Sequence, residues 1–340
     1  MKGRKSRILY LLYYLRELDR KKLHRFMNHV VLTTGKSSWQ VWLDVLHSVF
    51  KYNIGIIDYF LFRFYLKNPI ERSEWAGTGF MYEYHLQMNP LKTRHILADK
   101  TQFYQVYKSF VLHSNCTLAD LKENNLKAQN VLKNASGKIV IKDALGQCGW
   151  GVEVLDAHKY SQMELIAYME KRGFNLAEEF IQQHHDLNNL SDSGLNTLRV
   201  ITQIDSKGHA FILGARLRIT INSQVDNMAS GNIAAPVDLD TGIVNGEAVY
   251  SDITKQTVKF HPISGVSIVG FQVPFWQEIL DLTRKAALHH PENKSVGWDV
   301  AITENGPELI EGNHNWCKLL WQLPVNKGLK SELYPYIKDN

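Results

Sequence analysis

Hydrophobic residues recur with two different spacings along the chain, and the change of spacing divides it. In residues 1–90, Leu, Tyr and Phe recur at helical intervals among basic residues, which predicts a helical region that is broken by a loop at 75–79. From residue 138 onward, short runs rich in Val and Ile alternate with glycine-rich turns, which is typical of β-strands. The pattern therefore predicts an α+β protein with a helical N-terminal region.

The elements expected after the N-terminal region are of both types. Helices are predicted at residues 99–111, 118–124, 161–171 and 275–290. Strands are predicted at residues 138–142, 152–155, 176–181, 197–204 and 210–219. Ser161 and Glu164 form a capping box at the start of one helix, Gly173 ends that helix, and Pro274 opens another.

Two further strands joined by a tight turn are predicted at 297–302 and 306–313. Asp299 lies on the first strand, while Glu311 and Asn313 lie on the second, two residues apart and therefore on one face. Two carboxylates and an amide are oxygen ligands of the kind that Mg²⁺ prefers, and such carboxylates usually hold Mg²⁺ against the phosphates of a nucleotide. The alternative is a solvated polar hairpin, since short motifs give many false positives.

A glycine-rich segment separates two of the predicted strands and contains Gly146, Gly149 and Gly151. Its backbone N–H groups suit a phosphate, and Lys142 on the preceding strand supplies positive charge. A Walker A motif and a dinucleotide fingerprint are both excluded because a strand, rather than a helix, follows the loop. A plain hairpin that uses glycines for its turn geometry is the alternative.

The strand predicted at 176–181 ends in residues that suit a nucleoside. Its backbone there can pair with an adenine edge, and a carboxylate can accept hydrogen bonds from ribose hydroxyls. The strand ends in Glu178, Glu179, Phe180 and Ile181, and His184, His185 and Asp186 lie just beyond it. The two adjacent histidines do not predict zinc, because neighbouring residues on a strand point to opposite faces.

Three arginines lie on the two strands predicted at 197–204 and 210–219. Arg216 and Arg218 share one face of their strand, and Arg199 lies on the neighbouring strand. Converging guanidinium groups suit phosphate and carboxylate oxygens. A solvent-facing sheet surface with salt bridges is the alternative.

Composition places the chain among globular proteins of two or three domain-sized units. It has 340 residues, of which 44% are hydrophobic and 21% are charged. Its three cysteines are far apart, which excludes a disulfide framework or a cysteine zinc site and fits a reducing compartment. Because no signal peptide or membrane-spanning run is recognised, a cytoplasmic location is expected.

The formal net charge is +5, and the first 25 positions contain nine Lys and Arg residues. Interleaved with Leu and Tyr at helical spacing, this segment suits an anionic membrane surface or nucleic acid, or else it is a solvated basic helix face. No nucleic-acid motif occurs elsewhere, so nucleic acid is not expected as a partner. Peripheral contact with the inner membrane face stays open, as does the oligomeric state.

The motifs, taken in their order along the chain, resemble the ATP-grasp superfamily. The order begins with Asp99-Lys100 at a helix start, Lys142 and the glycine-rich loop. It continues with the hinge strand Glu178-Glu179-Phe180-Ile181, the Asn-Thr-Leu-Arg strand and the Asp…Glu-x-Asn hairpin. Residues 95–320 resemble more closely the sugar-transfer-associated ATP-grasp group found with polysaccharide biosynthesis genes. The resembling segments are Asn-Thr-Leu-Arg-Val, Pro-Val-Asp-Leu-Asp-Thr-Gly, His261-Pro262, and Gly-Trp-Asp-Val-Ala-Ile-Thr followed by Gly-Pro-Glu-Leu-Ile-Glu-Gly-Asn.

The resemblance implies an ATP-grasp fold, in which two α+β subdomains enclose an ATP cleft. Its boundaries are expected at 1–94 for the helical basic region, 95–180 for the subdomain with the glycine-rich loop, and 181–340 for the subdomain with the metal site. ATP and Mg²⁺ are the implied cofactors. Lys142 would contact the ATP phosphates, with Lys100 and the loop glycines in the same nucleotide site.

The family pattern also assigns the remaining motifs. Glu178 and the backbone through Ile181 would bind adenine, with Glu179 and Phe180 between them, and His185 or Asp186 would lie near the ribose. Asp299, Glu311 and Asn313 would hold Mg²⁺. Many ligases of the superfamily have an arginine two residues before the metal aspartate, and Gly297 stands there in this chain. The oxyanion-stabilising role would therefore fall to Arg199, Arg216 or Arg218.

The activity that the resemblance implies is ATP-dependent carboxylate–amine ligation through an acyl phosphate. The acid would be a small-molecule or saccharide carboxylate in cell-surface polysaccharide modification. A kinase that phosphorylates a sugar hydroxyl and a nucleotide-binding scaffold without turnover are the alternatives. If the ligase interpretation holds, Asp299→Asn or Glu311→Gln should abolish turnover while leaving the fold intact.

Overall fold

The computed structural model describes residues 19–146 and 151–337. Gly149, and the basic residues that precede Asp19, lie outside this description. The chain divides into two compact units. The first comprises Met1–Gln87, Val249–Thr257 and Cys317–Asn340, and the second comprises Met88–Ala248 and Val258–Trp316. The subdomain boundaries expected at residues 94 and 180 stay predictions.

The helices of the described residues are numbered here in chain order. They are α1 (Arg20–Thr34), α2 (Ser38–Tyr52), α3 (Ile56–Leu61), α4 (Pro69–Ser73), α5 (Thr78–Met88), α6 (His95–Ala98), α7 (Lys100–Val106), α8 (Leu118–Glu123), α9 (Leu126–Leu132), α10 (Gln162–Arg172), α11 (His185–Leu190), α12 (Trp276–His289), α13 (Lys318–Gln322) and α14 (Tyr334–Ile337). Short 3₁₀ turns cover Phe64–Leu66, Lys108–Phe110, Ala157–Lys159, Met228–Ser230 and Lys330–Leu333.

The strands have between two and ten residues. They are β1 (Asn115–Thr117), β2 (Lys138–Lys142), β3 (Val152–Asp156), β4 (Leu176–Glu179), β5 (Thr197–Ile204), β6 (Ala210–Ile219), β7 (Ile233–Val237), β8 (Val249–Tyr250), β9 (Ser295–Thr303) and β10 (Gly306–Asn313). The prediction of an α+β protein is therefore confirmed.

The first unit is mostly helical, as the sequence predicts for this region. Its core includes one face of α1 and of α2 together with most of α3, and Phe26, Val45 and Phe60 are fully buried. The prediction of a loop at 75–79 is wrong for its last two residues, because α5 already begins at Thr78. The Thr78 backbone N–H and hydroxyl donate to the Asp58 carboxylate at 2.8 and 2.6 Å, which fixes the start of this helix.

The second unit contains two antiparallel sheets. Strands β1, β4, β2 and β3 lie side by side in that order, with α8, α9 and α10 covering one face through a core that includes Ile139, Ile141, Leu165 and Ala177. Strands β10, β9, β5, β6 and β7 lie side by side in that order in the other sheet, and α12 packs on one face of these strands. The opposite face carries Lys142 and Glu178 in the first sheet and Asp299, Arg199 and Arg216 in the second.

Several element ends differ from the prediction. The strand predicted at 176–181 stops at Glu179, and α11, which was not predicted, begins at His185 with His184 as its N-cap. The helix predicted at 99–111 ends at Val106 and continues only as a 3₁₀ turn. Pro274 precedes the N-cap of α12 rather than opening the helix, and that N-cap, Phe275, has φ +55°.

No helix in the two described stretches of the chain is both long and apolar enough to cross a membrane.

Candidate functional site

One row of charged side chains crosses the sheet formed by β10, β9, β5, β6 and β7. Glu311 on β10 lies opposite Asp299 on β9, Asp299 lies opposite Arg199 on β5, and Arg199 lies opposite Arg216 on β6. Residues that are directly opposite one another in a sheet project from the same face. The structure therefore brings two predicted metal ligands and two predicted catalytic arginines together.

A β-bulge makes this row possible. The strand pairing of β9 with β10 shifts by one residue between Leu309 and Glu311. Without the shift, Glu311 would lie opposite Trp298 and would point away from Asp299, because side chains alternate between faces. The extra residue is Ile310, and it places both Glu311 and Asn313 on the face of Asp299.

Asp299 is buried and held by two arginines. Arg199 contacts the carboxylate through Nε and donates from Nη2 to Oδ2 at 2.9 Å, and Arg218 donates from Nη1 to the same Oδ2 at 2.7 Å. Burial alone would raise the pKa of Asp299, but the two guanidinium groups outweigh it and hold the pKa well below its usual range. The carboxylate is therefore ionised at neutral pH.

Arg218 has a second carboxylate partner, Asp226, which was not predicted. Asp226 is buried and accepts hydrogen bonds from Arg218 Nη2 and from the hydroxyl of Thr197. Burial and the neighbouring Asp299 raise the pKa of Asp226, while Arg218 opposes them. Burial would lower the pKa of Arg218, but the two carboxylates raise it above its usual range. Arg218 thus stays charged and lies between Asp226 and Asp299.

Two glycines make room for the arginines of this face. A Cβ atom at Gly214 would lie 3.1 Å from Nη1 of Arg216, which itself donates to the carbonyl of Ala215 at 2.7 Å. A Cβ atom at Gly297 would lie 2.7 Å from Cβ of Trp316 and 3.1 Å from Cδ of Arg199. Gly297 therefore cannot carry a side chain without displacing its neighbours, and Arg199 occupies the adjoining space.

Lys100 connects the charged row to the other sheet of the same unit. Its Nζ lies 3.5 Å from Oε2 of Glu311 and donates to the carbonyl oxygen of Gly146 at 2.6 Å. Asp99 caps the start of α7, so the predicted helix start at Asp99-Lys100 is confirmed. Lys100 thereby lies between the predicted metal ligands and the beginning of the glycine-rich loop.

The three predicted metal ligands form a compatible set of oxygen donors. Nδ2 of Asn313 donates to Oε1 of Glu311 at 3.2 Å, and Asp299 lies opposite Glu311 in the sheet. Two carboxylates and one amide on a single face fit a hard divalent cation such as Mg²⁺. Lys100, Arg199 and Arg218 surround the set with positive charge, which also suits the anionic phosphates that accompany such a cation.

A second charged group lies on the sheet formed by β1, β4, β2 and β3. Lys142 is buried, and its Nζ lies 2.6 Å from Oε2 of Glu178. Tyr104, which was not predicted, donates from its hydroxyl to Oε1 of Glu178 at 2.6 Å. Burial would raise the pKa of Glu178, but Lys142 and His113 outweigh it and lower the pKa below its usual value. Lys142 and Glu178 are therefore brought together as a buried ion pair.

Glu308 and His113 join the two sheets of the second unit. The Glu308 carboxylate accepts from the backbone N–H groups of Leu112 and His113, at 2.7 and 2.8 Å, and lies 2.7 Å from Nδ1 of His113. Nε2 of the same ring lies 4.0 Å from Glu178. Neither residue was predicted to belong to the site, because the two lie 195 positions apart along the chain.

The predicted nucleoside residues separate into two groups. Glu179 accepts from the backbone N–H of Ser114 at 3.2 Å, and the Phe180 ring lies 5.1 Å from Nζ of Lys138, so both stay close to the β2–β4 sheet. Ile181 follows them and is partly buried. His185 and Asp186 begin α11 and are exposed, and His185 Nδ1 lies 3.0 Å from Glu304 in the β9–β10 turn.

The reason given against a zinc site at the paired histidines is wrong. His184 and His185 lie at a helix start rather than on a strand, and their rings stack with centroids 4.3 Å apart beside Glu304. Nδ1 of His184 accepts from the backbone N–H of Asp186 at 3.2 Å, and the two rings and Glu304 offer three possible ligand atoms within 4.8 Å of one another.

Gly146 and Gly151 flank the part of the glycine-rich loop that lies outside the description. Gly146 accepts from Lys100, as described above, and Gly151 has φ +69°, a backbone conformation that favours glycine.

Comparison with protein-family models gives a match to the sugar-transfer associated ATP-grasp family over residues 80–336. No curated protein sequence matches the chain.

Solved structures provide a second comparison. The biotin carboxylase domain of 2-oxoglutarate carboxylase from Hydrogenobacter thermophilus, solved with MgADP, ADP and bicarbonate, is 16% identical and has a TM-score of 0.40; the match covers 68% of this chain and 46% of that one. The chain thus spans less than half of that protein's length. The ATP-grasp ligase PsnB, complexed with a minimal precursor, is 12% identical with a TM-score of 0.43, over 79% of this chain and 70% of that one. D-Cycloserine synthetase is 10% identical with a TM-score of 0.44, over 74% of each chain.

Proposed function

The chain belongs to the sugar-transfer associated ATP-grasp family and has the ATP-grasp fold, and on that premise we propose that it is an ATP-dependent carboxylate–amine ligase. One oxygen of the substrate carboxylate attacks the γ-phosphorus of ATP, and the bond from that phosphorus to ADP breaks. An amine then attacks the acyl carbon of the resulting acyl phosphate, loses a proton and releases inorganic phosphate. The proposed acid is a small molecule or saccharide used in cell-surface polysaccharide modification.

The nucleotide site is proposed on the sheet that carries Lys142 and Glu178. Lys142 is the buried cation at the end of β2, directly before the glycine-rich loop, and suits the phosphates. Lys100 donates to the carbonyl oxygen of Gly146 at the start of that loop and is a second cation suited to the phosphates. Glu178 and the backbone through Ile181 would take adenine, with His185 or Asp186 near the ribose.

The proposed metal ligands are Asp299, Glu311 and Asn313. When bound there, Mg²⁺ supplies charge neutralisation for the phosphate oxygens. The chain holds its own ligands in place beforehand: Arg199 and Arg218 orient Asp299, and Asn313 orients Glu311. Such fixed positions lower the reorganisation that the reaction needs.

The row of Glu311, Asp299, Arg199 and Arg216 is the single observation that carries the proposal. It places carboxylates suited to a cation and guanidinium groups suited to an oxyanion on adjacent strands of one face. A carboxylate substrate and the oxyanion formed from an acyl phosphate both need positive donors of this kind. Arg199, Arg216 and Arg218 are the proposed catalytic residues.

The same row favours a carboxylic acid over a sugar hydroxyl as the phosphoryl acceptor. A hydroxyl must lose a proton as it attacks and benefits from a general base, whereas a carboxylate is already ionised at neutral pH. Asp299 is paired with two arginines, and its pKa is low, so it is a poor base. The paired, ionised state of Asp299 therefore supports a carboxylate acceptor, and with it a ligase, over a hydroxyl acceptor.

Product analysis tests this function. The purified full chain is incubated with ATP, Mg²⁺, a panel of uronic and amino acids, and a panel of amines. ADP and inorganic phosphate should accumulate together only when an acid and an amine are both present. ADP with a phosphorylated sugar and no free phosphate would instead identify a kinase. Nucleotide binding without turnover across the panels would identify a scaffold.

A further inference from the structure

Helix α2 carries a stripe of large apolar side chains that face solvent. Trp39, Leu43, Leu46 and Phe50 follow one another at intervals of four, three and four residues, so they lie along one side of the helix. Their exposed fractions are 69, 48, 40 and 47%. Leu32, near the end of α1, is 84% exposed. We call the four α2 residues the apolar stripe.

The stripe is not the side by which α2 packs on its own unit. The buried residues of α2 are Val41, Val45, Ser48 and Tyr52, which lie on the opposite side of the helix. A helix with an apolar face on the core needs a polar face toward water. The outer apolar face of α2 therefore indicates a contact with something beyond the chain described here.

Charge indicates what kind of partner suits this face. Residues 1–52 contain eleven Lys and Arg against three Asp and Glu, a formal net charge of +8. The remaining 288 residues contain 28 against 31, a formal net charge of −3. The whole positive excess of the chain thus lies in the segment that contains the apolar stripe. A partner for this segment is expected to be anionic.

The charges nearest the stripe are also basic. Lys36 precedes it, Lys51 follows it and His47 lies beside it, and all three are exposed. Asp44 is the one acidic residue of α2, and it is already engaged by Nη1 and Nη2 of Arg72 at 2.6 and 2.8 Å and by the hydroxyl of Tyr59 at 2.8 Å. The carboxylate therefore adds little negative charge at the stripe.

A second copy of this chain fits the stripe poorly. Two stripes packed together would bring two segments of like charge against each other. Stable protein interfaces also use about 20–30 residues a side, and the stripe offers four large side chains and Leu32. An anionic bilayer avoids the charge repulsion, because its headgroups attract Lys and Arg. It also needs only a few inserted side chains, because Trp, Leu and Phe enter the interfacial layer.

We infer that the apolar stripe of α2, with Lys36 and Lys51 at its ends, docks the protein on an anionic membrane surface. The contact is peripheral: the aromatic and aliphatic side chains enter the headgroup region, and the lysines bind lipid phosphates. The inference does not depend on the proposed ligase activity, because it concerns residues outside the candidate site.

Vesicle flotation with the full chain tests the inference. Vesicles of phosphatidylcholine alone are compared with vesicles that also contain phosphatidylglycerol, at low and high salt. Binding should require the anionic lipid and should weaken as salt rises. The double variant Trp39→Ser/Phe50→Ser should lower the partition coefficient at least about tenfold. Lys36→Gln and Lys51→Gln should each lower it about fivefold on anionic vesicles.

A matched control separates the stripe from general surface hydrophobicity. Phe211 and Phe260 lie in the second unit and are 46 and 58% exposed, so Phe211→Ser/Phe260→Ser removes two comparable aromatic rings. This control should bind as the unaltered protein does. An unchanged thermal unfolding midpoint in each variant shows that the fold is kept.

Two outcomes would overturn the inference. If Trp39→Ser/Phe50→Ser floats with the vesicles as well as the unaltered chain does, the apolar stripe is not the part of the protein that contacts lipid. If the unaltered chain is a dimer by light scattering and Trp39→Ser/Phe50→Ser makes it monomeric, a second copy covers the stripe instead.

Discussion

The two carboxylates of the candidate metal site should differ sharply in what they contribute to stability. Asp299 is 4% exposed and is held by Arg199 and Arg218, whereas the Glu311 side chain is 28% exposed and lies 3.5 Å from one lysine. The sequence suggested that Asp299→Asn and Glu311→Gln would both leave the fold intact. The contacts in the structure lead us to expect a loss of stability for Asp299→Asn, because it removes the charged partner of the buried Arg199 and one of the two charged partners of Arg218.

The magnitude follows from the contacts. Removing one partner of a buried ion pair costs about 3–5 kcal/mol. Asparagine keeps one acceptor oxygen, and Arg218 keeps Asp226, so we expect about 3 kcal/mol for Asp299→Asn, at the lower end of that range. A partly exposed pair such as Lys100–Glu311 is worth about 0–1 kcal/mol, so Glu311→Gln should cost no more than that.

Urea unfolding at neutral pH, followed by tryptophan fluorescence, measures both free energies. Glu311→Gln is the matched control, since it removes a charge at the same site without altering side-chain volume. Because the pKa of Asp299 is depressed in the folded state, its contribution is complete above the unfolded-state value of about 3.9 and is lost as the pH falls further. The gap between the unaltered chain and Asp299→Asn should therefore close in acid. Equal free energies for the two variants at neutral pH would refute the reasoning.

Three further predictions concern the candidate site and the core. Glu311→Gln should reduce turnover more than ATP affinity, and Asn313→Asp should have a milder effect because it keeps an oxygen ligand. Steady-state kinetics with Mg²⁺ and with Mn²⁺ measure both variants, and equal losses of turnover in the two variants with either metal would show that neither residue holds a metal. Lys142→Met should weaken ATP binding roughly tenfold to a hundredfold, since a charge-assisted contact is worth about 1.5–3 kcal/mol, and calorimetry showing unchanged affinity would remove Lys142 from the phosphate site. Burial raises the pKa of the Cys116 thiol to about 12, so Cys116 should resist iodoacetamide at pH about 8 until urea unfolds the protein, and rapid labelling of the folded chain, read by mass spectrometry, would contradict its burial.

The strands of the second unit were the elements predicted best from the sequence, and the ends of elements were predicted least well. The strands at 138–142, 197–204 and 210–219 match β2, β5 and β6 residue for residue, because each is a run rich in aliphatic residues beside a cluster of turn residues. The end of β4 was missed, since no glycine or proline marks the point where the chain leaves the sheet after Glu179. Helix α11 was missed because its N-cap is a histidine, which is not among the usual N-cap residues.

The candidate site was predicted as a set of residues but not as an arrangement. Glu311 faces Asp299 only because of the bulge at Ile310, and neither residue type nor spacing reveals a bulge. Tyr104 could have been found, since it lies one helical turn after Lys100 and therefore on the same side of α7. Contacts such as Glu308 with His113 depend on how the two sheets meet, which a single sequence does not encode locally.

The fate of a labelled carboxylate oxygen tests the proposed function most directly. An acid substrate carrying heavy oxygen in its carboxylate is turned over with ATP and an amine, and the products are analysed by mass spectrometry. Attack of the carboxylate on the γ-phosphorus, followed by capture of the acyl group, transfers one labelled oxygen to inorganic phosphate, and this is the result that the proposal predicts. Unlabelled phosphate, with both labelled oxygens still in the acid or in a phosphorylated product, would contradict an acyl phosphate and with it the role assigned to the row of Glu311, Asp299, Arg199 and Arg216.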